Sequence, residues 1–302
     1  MNEALDLAKV SESDRLAFYG ALFAIALADN SIDKEEVELI FGVMDLEGMT
    51  ESAKRQVQSY IIEPPSLPTC LRSLKAADEK LRYSLMINLV DVAWADDELD
   101  PNEKKAIDLA QHELKISNEQ LDAIKKFIQT IREIRVRGVD DDYAADAMKT
   151  AAAGLSAVGV PIAAVWLSGS VIGLSAAGIT SGLASLGALI GLGGMIPGIG
   201  LAILGGAAIF MGVNALLDTG DKSKKEQFQA DKERKAQLVI KNMQGAINSL
   251  VEKIADLQEQ AFNLEASASD AEANREAIKL LLERLKFMRQ TVSKRKLEFG
   301  EN

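Results

Sequence analysis

Ala28-Asp29-Asn30-Ser31-Ile32-Asp33-Lys34-Glu35-Glu36 and Ala95-Asp96-Asp97-Glu98-Leu99-Asp100-Pro101-Asn102-Glu103 are two versions of one pattern, A-D-x-x-[I/L]-D-x-x-E, so that position 28 corresponds to position 95. Each follows an apolar stretch, Phe23-Ala24-Ile25-Ala26-Leu27 or Leu89-Val90-Asp91-Val92-Ala93-Trp94. Each also precedes one, Val37-Glu38-Leu39-Ile40-Phe41 or Ala106-Ile107-Asp108-Leu109-Ala110. Upstream, Leu16, Tyr19, Phe23 and Leu27 recur at helical spacing after Ser11-Glu12-Ser13-Asp14, which reads as a helix start. Between the copies, Glu63-Pro64-Pro65-Ser66-Leu67-Pro68 cannot be helix interior, because proline lacks the amide hydrogen and collides with the preceding turn. Two helical hairpins in tandem, closing on a shared core, are expected.

The acids of the pattern have a structural reading and a chemical one. Asp33 and Asp100 stand where a helix N-cap belongs, and Glu36 and Glu103 occupy the third helical position, so each copy reads as a capping box. Pro101 at the first helical position agrees with this. Alternatively, Asp29, Asp33, Glu36, Asp96, Asp100 and Glu103 hold a divalent cation, since clustered carboxylates suit hard cations. An EF-hand is excluded. Its sixth position would be Lys34 or Pro101 instead of glycine, and its twelfth Ile40 or Ile107 instead of glutamate. A third reading makes the acids a docking face for a protein partner.

The duplicated motif between amphipathic helices resembles the TerB-like (tellurite-resistance) family over roughly residues 10–137. The resemblance implies a compact helical domain tied to stress or defence, with metal binding at the acidic motifs. It carries over to Asp29, Asp33, Glu36, Asp96, Asp100 and Glu103. The family often has glycine after the A-D pair, where this chain has Asn30 and Asp97.

Beyond the motif the chain divides by charge. Residues 1–149 hold 30 acidic and 18 basic residues. From Thr150 to Leu217 no residue is charged, and the stretch carries 15 of the 22 glycines. A spanning helix needs about 20 residues, so this run is long enough for a transmembrane hairpin. Its glycines are ordered: residues 169–177, 178–186 and 187–195 each read G-x-x-x-G-L. Gly169/Gly173 and Gly187/Gly191 share one helical face and Gly178/Gly182 the opposite one, an arrangement that lets backbones approach closely in lipid. The break Gly193-Gly194-Met195-Ile196-Pro197-Gly198 would separate helices over 169–192 and 197–217, with 143–167 a third, interrupted at Pro161. Basic residues flank the run on both sides, Arg132, Arg135, Arg137 and Lys149 before it and six more from Lys222 to Lys235 after it. Both flanks are therefore expected in the cytoplasm, with two spans, or three if 151–167 crosses. The acidic opening Met1-Asn2-Glu3 and the shortness of Ala21–Ala28 give no cleavable signal.

From residue 218 the pattern becomes a coiled coil. Ile240, Met243, Ile247, Leu250, Ile254 and Leu257 step alternately by three and four, and Ile278, Leu281, Leu285, Met288 and Val292 make a second seam. The weakly apolar Ala266–Ala271 between them allows an antiparallel hairpin, the preferred reading, or one continuous rod.

The expected chain is thus all-α: a duplicated helical domain over 1–137, an acidic linker over 138–149, a Gly/Ala-rich membrane segment over 150–217 and a coiled coil over 218–302. One cysteine (Cys70) and one histidine (His112) leave no nucleophile–base pair and no Cys/His metal site. A net charge of −11 disfavours nucleic acid as partner. The expected function is non-enzymatic: a membrane-embedded, stress- or defence-associated protein with a cytoplasmic acidic sensor or docking domain and a self-associating coiled coil, partnered by the lipid bilayer and by further copies of itself. A conditional pore-former, and a soluble scaffold that buries the glycine run as core, are the alternatives.

Overall fold

The structure, a computed structural model, describes residues 9–28, 32–95, 100–137, 141–165, 222–262 and 268–298. Every regular element among them is a helix. At the centre lie α1 (Glu12–Ala26) and α5 (Glu79–Ala93). Both are apolar on nearly every side, the pattern of a helix covered all round: Ala17–Phe23 and Tyr83–Ala93 are buried without a break.

The repeat offset extends well past the acidic motif. It maps α1 onto α5, α2 (Lys34–Val43) onto α6 (Pro101–Glu113), and α3 (Glu51–Ser59) onto the start of α7 (Asn118–Arg137). The starts of these helices repeat with it. Ser11 accepts from the Asp14 amide, and its counterpart Asp78 from that of Lys80. Thr50 Oγ1 accepts from the Ala53 amide and Ser117 Oγ from that of Gln120, each at 3.2 Å. Arg15 and Arg82 repeat as well: Arg15 Nη1 donates to Glu47 O at 2.9 Å and Arg82 Nη1 to Leu114 O at 2.7 Å, donor and acceptor both shifted by the same offset. Each half is therefore a three-helix unit whose first helix sends an arginine to hold the turn between the other two.

Between the halves lies α4 (Leu67–Leu74), with Pro68 in its first turn, where no amide is needed. It crosses α1 at Gly20. A Cβ there would stand 2.5 Å from Pro65 Cγ and 3.0 Å from Cys70 Sγ, so only glycine lets the two segments meet.

The two halves are covered differently. On the second lie α8 (Asp141–Ala157), packed along α7, and the short α9 (Ile162–Val165), packed on α5. Ala152, Leu155, Val160, Ala164 and Val165 are buried there, Ser84 Oγ donates to Ala164 O at 2.7 Å, and Gln120 Nε2 donates to Val158 O at 3.1 Å. Helix α8 thus runs through the boundary drawn at 149/150, and residues 150–165, grouped by their lack of charge with the membrane segment, are packed on protein. The break at Pro161 separates α8 from α9, with Gly159 at φ +77° in the turn. Among the described residues no helix is long and apolar enough to cross a membrane. The spans expected over 169–192 and 197–217 lie outside the described residues.

On the first half sits a hairpin of α10 (Lys222–Phe262) and α11 (Ala268–Glu298). The two helices pack along each other, which settles the choice between hairpin and rod. The heptad positions Ile240–Leu257 and Leu281–Val292 are buried in this pairing. The hairpin in turn lies against α2 and α3.

Candidate functional site: the paired acidic loops

Each acidic motif bridges the end of a central helix and the start of the next. Helix α1 ends at Leu27, whose amide returns to Phe23 O, and α5 ends likewise at Trp94, whose amide returns to Val90 O at 3.2 Å. Next in sequence among the described helices come α2 and α6, which begin at Lys34 and Pro101.

There both capping boxes form. The Asp33 amide donates to Glu36 Oε2 and the Glu36 amide to Asp33 Oδ1, each at 2.9 Å. In the second copy the Asp100 amide donates to Glu103 Oε2 at 2.9 Å, and Asp100 Oδ1 accepts from the Asn102 amide at 2.7 Å. Four of the six acids singled out by sequence are thus brought together in two pairs, as helix caps, while Asp29 and Asp96 lie outside the described residues. Carboxylates at helix N-termini also meet the positive end of the helix dipole, so the boxes are favoured twice over. Arg132 of α7 ties down the chain just past α5, its Nη2 donating to Ala95 O at 2.7 Å.

Oxygen donors of this kind suit a hard cation, but among the described residues no three carboxylate, thiol or imidazole groups converge on one point. Asp33 with Glu36 and Asp100 with Glu103 form two separate capping pairs. Capping and cation binding separate under one substitution pair. Serine caps about as well as aspartate but brings no charge. Asp33→Ser with Asp100→Ser in the full chain is expected to leave the melting temperature within about 5 °C of the parent, equally with and without calcium. Alanine at either position is expected to lower stability by about 1 kcal/mol. A calcium-dependent rise in the parent that the serine pair abolishes would assign these acids to a cation instead.

The other reactive side chains stand apart. Cys70 is buried in α4, and that burial pushes its thiol up to about 11, away from thiolate chemistry. His112 projects from α6, its Nδ1 3.4 Å from Glu113 Oε1. Trp94 is half-buried at the end of α5. Sequence reading missed the arginines. Arg15 is only 3% exposed, and besides Glu47 O its guanidinium donates to Asp45 O. Tyr19 closes the same turn, its hydroxyl donating to Asp45 O at 2.8 Å and accepting from the Asp45 amide at 2.9 Å. The available signal was the recurrence of arginine at 15 and 82, one repeat apart.

Residues 49–126 match the family described as Tellurite resistance protein TerB. The match runs from the N-cap region of α3 into α7. It contains the second acidic motif and stops short of the first. The N-terminal part of the chain is TerB-like. No curated protein and no solved structure matches the chain.

Proposed function

We propose that the chain is a non-enzymatic, membrane-embedded protein in which the TerB-like part serves as an acidic sensor or docking domain on the cytoplasmic side, in a stress or defence setting. The observation that carries this reading is the stretch 166–217. After 150–165 are assigned to the helical module, this stretch still runs from Trp166 to Leu217 without an ionisable side chain. That is more than twice the roughly 20 residues of one spanning helix. The two glycine-lined faces (Gly169/Gly173 with Gly187/Gly191, and Gly178/Gly182) suit close helix packing in lipid, within a hairpin and between copies. Self-association, expected of the coiled coil, is assigned to those glycine faces instead, because the heptad seams of α10 and α11 pack on each other within one chain.

A conditional form of the same reading, in which the segment enters lipid only in one state, has two points in its favour. Glycine, alanine and serine are driven into hydrocarbon only weakly. The chain also approaches the segment from a docked position, with Ala164 and Val165 buried on the module.

Membrane fractionation of the full chain tests both. Permanent insertion predicts that the protein sediments with membranes through a carbonate wash and is released only by detergent. Recovery in a detergent-free supernatant overturns it. A soluble oligomer that then releases dye from anionic vesicles establishes the conditional form, and one that leaves them sealed establishes the scaffold reading.

A further inference from the structure

The α10–α11 hairpin has two unlike contact faces. Its inner seam is apolar throughout, for example Met243, Leu250, Leu285 and Met288. The face turned to α2 and α3 is broader than a two-helix seam requires. On α10, Val239, Asn242 and Ala246 are buried one position before seam residues, and a Cβ on Gly245 would run into the Gln58 side chain of α3. An apolar stripe widened in this way indicates packing on more than one neighbour.

Polar contacts are set into this outer face. Asn242 Nδ2 donates to Met44 O at 3.3 Å, just past the end of α2. Arg284 Nη1 donates to Ile61 O at 2.8 Å and Ile62 O at 3.3 Å, just past the end of α3. Carbonyls are left over wherever a helix stops. In the second repeat the counterpart of Ile61 is Ile128, inside α7, where the helix continues. In the first, Pro64 and Pro65 prevent continuation, and an arginine from the far end of the chain supplies the donor. Thr291, two turns along α11 from Arg284, is fully buried, and its hydroxyl finds no hydrogen-bond partner among the described residues. Burying the unpaired hydroxyl offsets part of what the contact gains, while Arg284, bonded to two carbonyls, holds it in place. The inner seam carries no such penalty.

We propose that the α10–α11 hairpin is a releasable clamp, which leaves α2 and α3 as a unit with its own seam intact. Docked, it ties the middle of α10 to the module, through Asn242 on Met44 O and Gly245 against Gln58, while Val165 is buried on the module at the other side of the charge-free stretch. Released, it leaves the module joined to that stretch only through α9. The inference is independent of whether that stretch meets lipid.

Thiol labelling of the full chain with a maleimide tests it, and native Cys70, buried in α4, is the internal control for opening of the module. Ala246→Cys reports release of the outer face and Leu250→Cys reports opening of the seam. The clamp predicts labelling at position 246 at least tenfold faster than at position 250 or at Cys70. Adding Thr291→Val, which removes the unpaired hydroxyl, is expected to slow labelling at 246 about tenfold. Arg284→Ala is expected to speed it by a similar factor, with Cys70 unchanged. Equal rates at 246 and Cys70 overturn the proposal, since the hairpin would then leave only on global unfolding. Equal rates at 246 and 250 overturn it too, since the hairpin would not leave as a unit. A 246 rate indifferent to Thr291→Val removes the polar face as its cause and overturns it in the form stated.

Discussion

Phe23→Ala is expected to lower the unfolding free energy of the protein by about 3–5 kcal/mol, the range for truncating a fully enclosed phenylalanine. Phe23 is completely buried in α1. Its ring meets that of Phe41 in α2 edge-on, centroids 5.8 Å apart and planes at 79°, and that of Tyr60 after α3 at 6.4 Å and 66°. One side chain thus joins all three helices of the first repeat unit. Alanine would remove the ring's transfer energy, leave a cavity bounded by two other rings, and forfeit the edge-to-face pairs, worth about 0.5–1.5 kcal/mol each. The counterpart in the second unit, Val90, is equally enclosed but smaller. Val90→Ala removes two methyl groups and is expected to cost only about 1–2 kcal/mol at roughly 0.8 per buried carbon. Urea unfolding of both variants reads the difference. A Phe23→Ala loss below about 1 kcal/mol would mean that the ring cluster does not hold the unit together.

What could be read in advance followed the range of the interaction. The capping boxes at Asp33/Glu36 and Asp100/Glu103 were legible because a cap is made within one helical turn, and the chain break at Pro64-Pro65 because proline acts on its own backbone. The α10–α11 pairing was legible because a seam repeats with the heptad. The repeat was underestimated. The acidic motif showed it, but Arg15/Arg82 and Thr50/Ser117 keep the same offset in stretches whose flanking residues have diverged (Tyr19 against Met86, Gly20 against Ile87). Residues 150–165 were grouped with the membrane segment because absence of charge does not distinguish a helix packed on protein from one facing lipid. What set them apart is tertiary: the burial of Ala152, Leu155 and Val165 on α5 and α7, and the Ser84–Ala164 hydrogen bond. The docking of the hairpin was hidden for a related reason. Val239 and Ala246 look like ordinary flanks of a heptad seam, and Arg284 looks like part of a solvated basic stretch. Nothing local links Arg284 to Ile61, which belongs to the opposite end of the chain.

Arg15→Ala should be the most damaging polar substitution in the module, at about 3 kcal/mol or more, because it strands two carbonyls at once. A buried acceptor deprived of its donor costs about 1–3 kcal/mol, and bonds from a charged donor stand at the upper end. The guanidinium serves both Asp45 O and Glu47 O, whereas among the described residues Arg82 serves Leu114 O, so Arg82→Ala is expected to cost roughly half as much. The pair lies in separate halves without a shared acceptor, and the double variant should be near additive. The same turn predicts a response to alkali. Burial, the largest influence on Tyr19, raises its hydroxyl above the ordinary value of 10, with Arg15 acting the other way. The folded state therefore holds this proton more tightly than the unfolded chain does. The stability it contributes is complete below pH 10 and is lost progressively as the pH rises beyond that. Tyr19→Phe keeps the ring but strands the Asp45 amide, so it should be less stable than the parent at neutral pH and lose less stability above pH 10. Arg15→Ala removes a positive charge that eases Tyr19 ionisation, but burial keeps Tyr19 protonated in the folded state up to pH 11 either way, so its alkaline loss over that range should match the parent's. Chemical denaturation between pH 7 and 11 measures all three. A parallel decline in parent and Tyr19→Phe would show that burial does not hold the Tyr19 proton, equal stability of the two at neutral pH would remove the hydroxyl from the turn, and an unchanged midpoint in Arg15→Ala would remove the arginine from the description of the repeat.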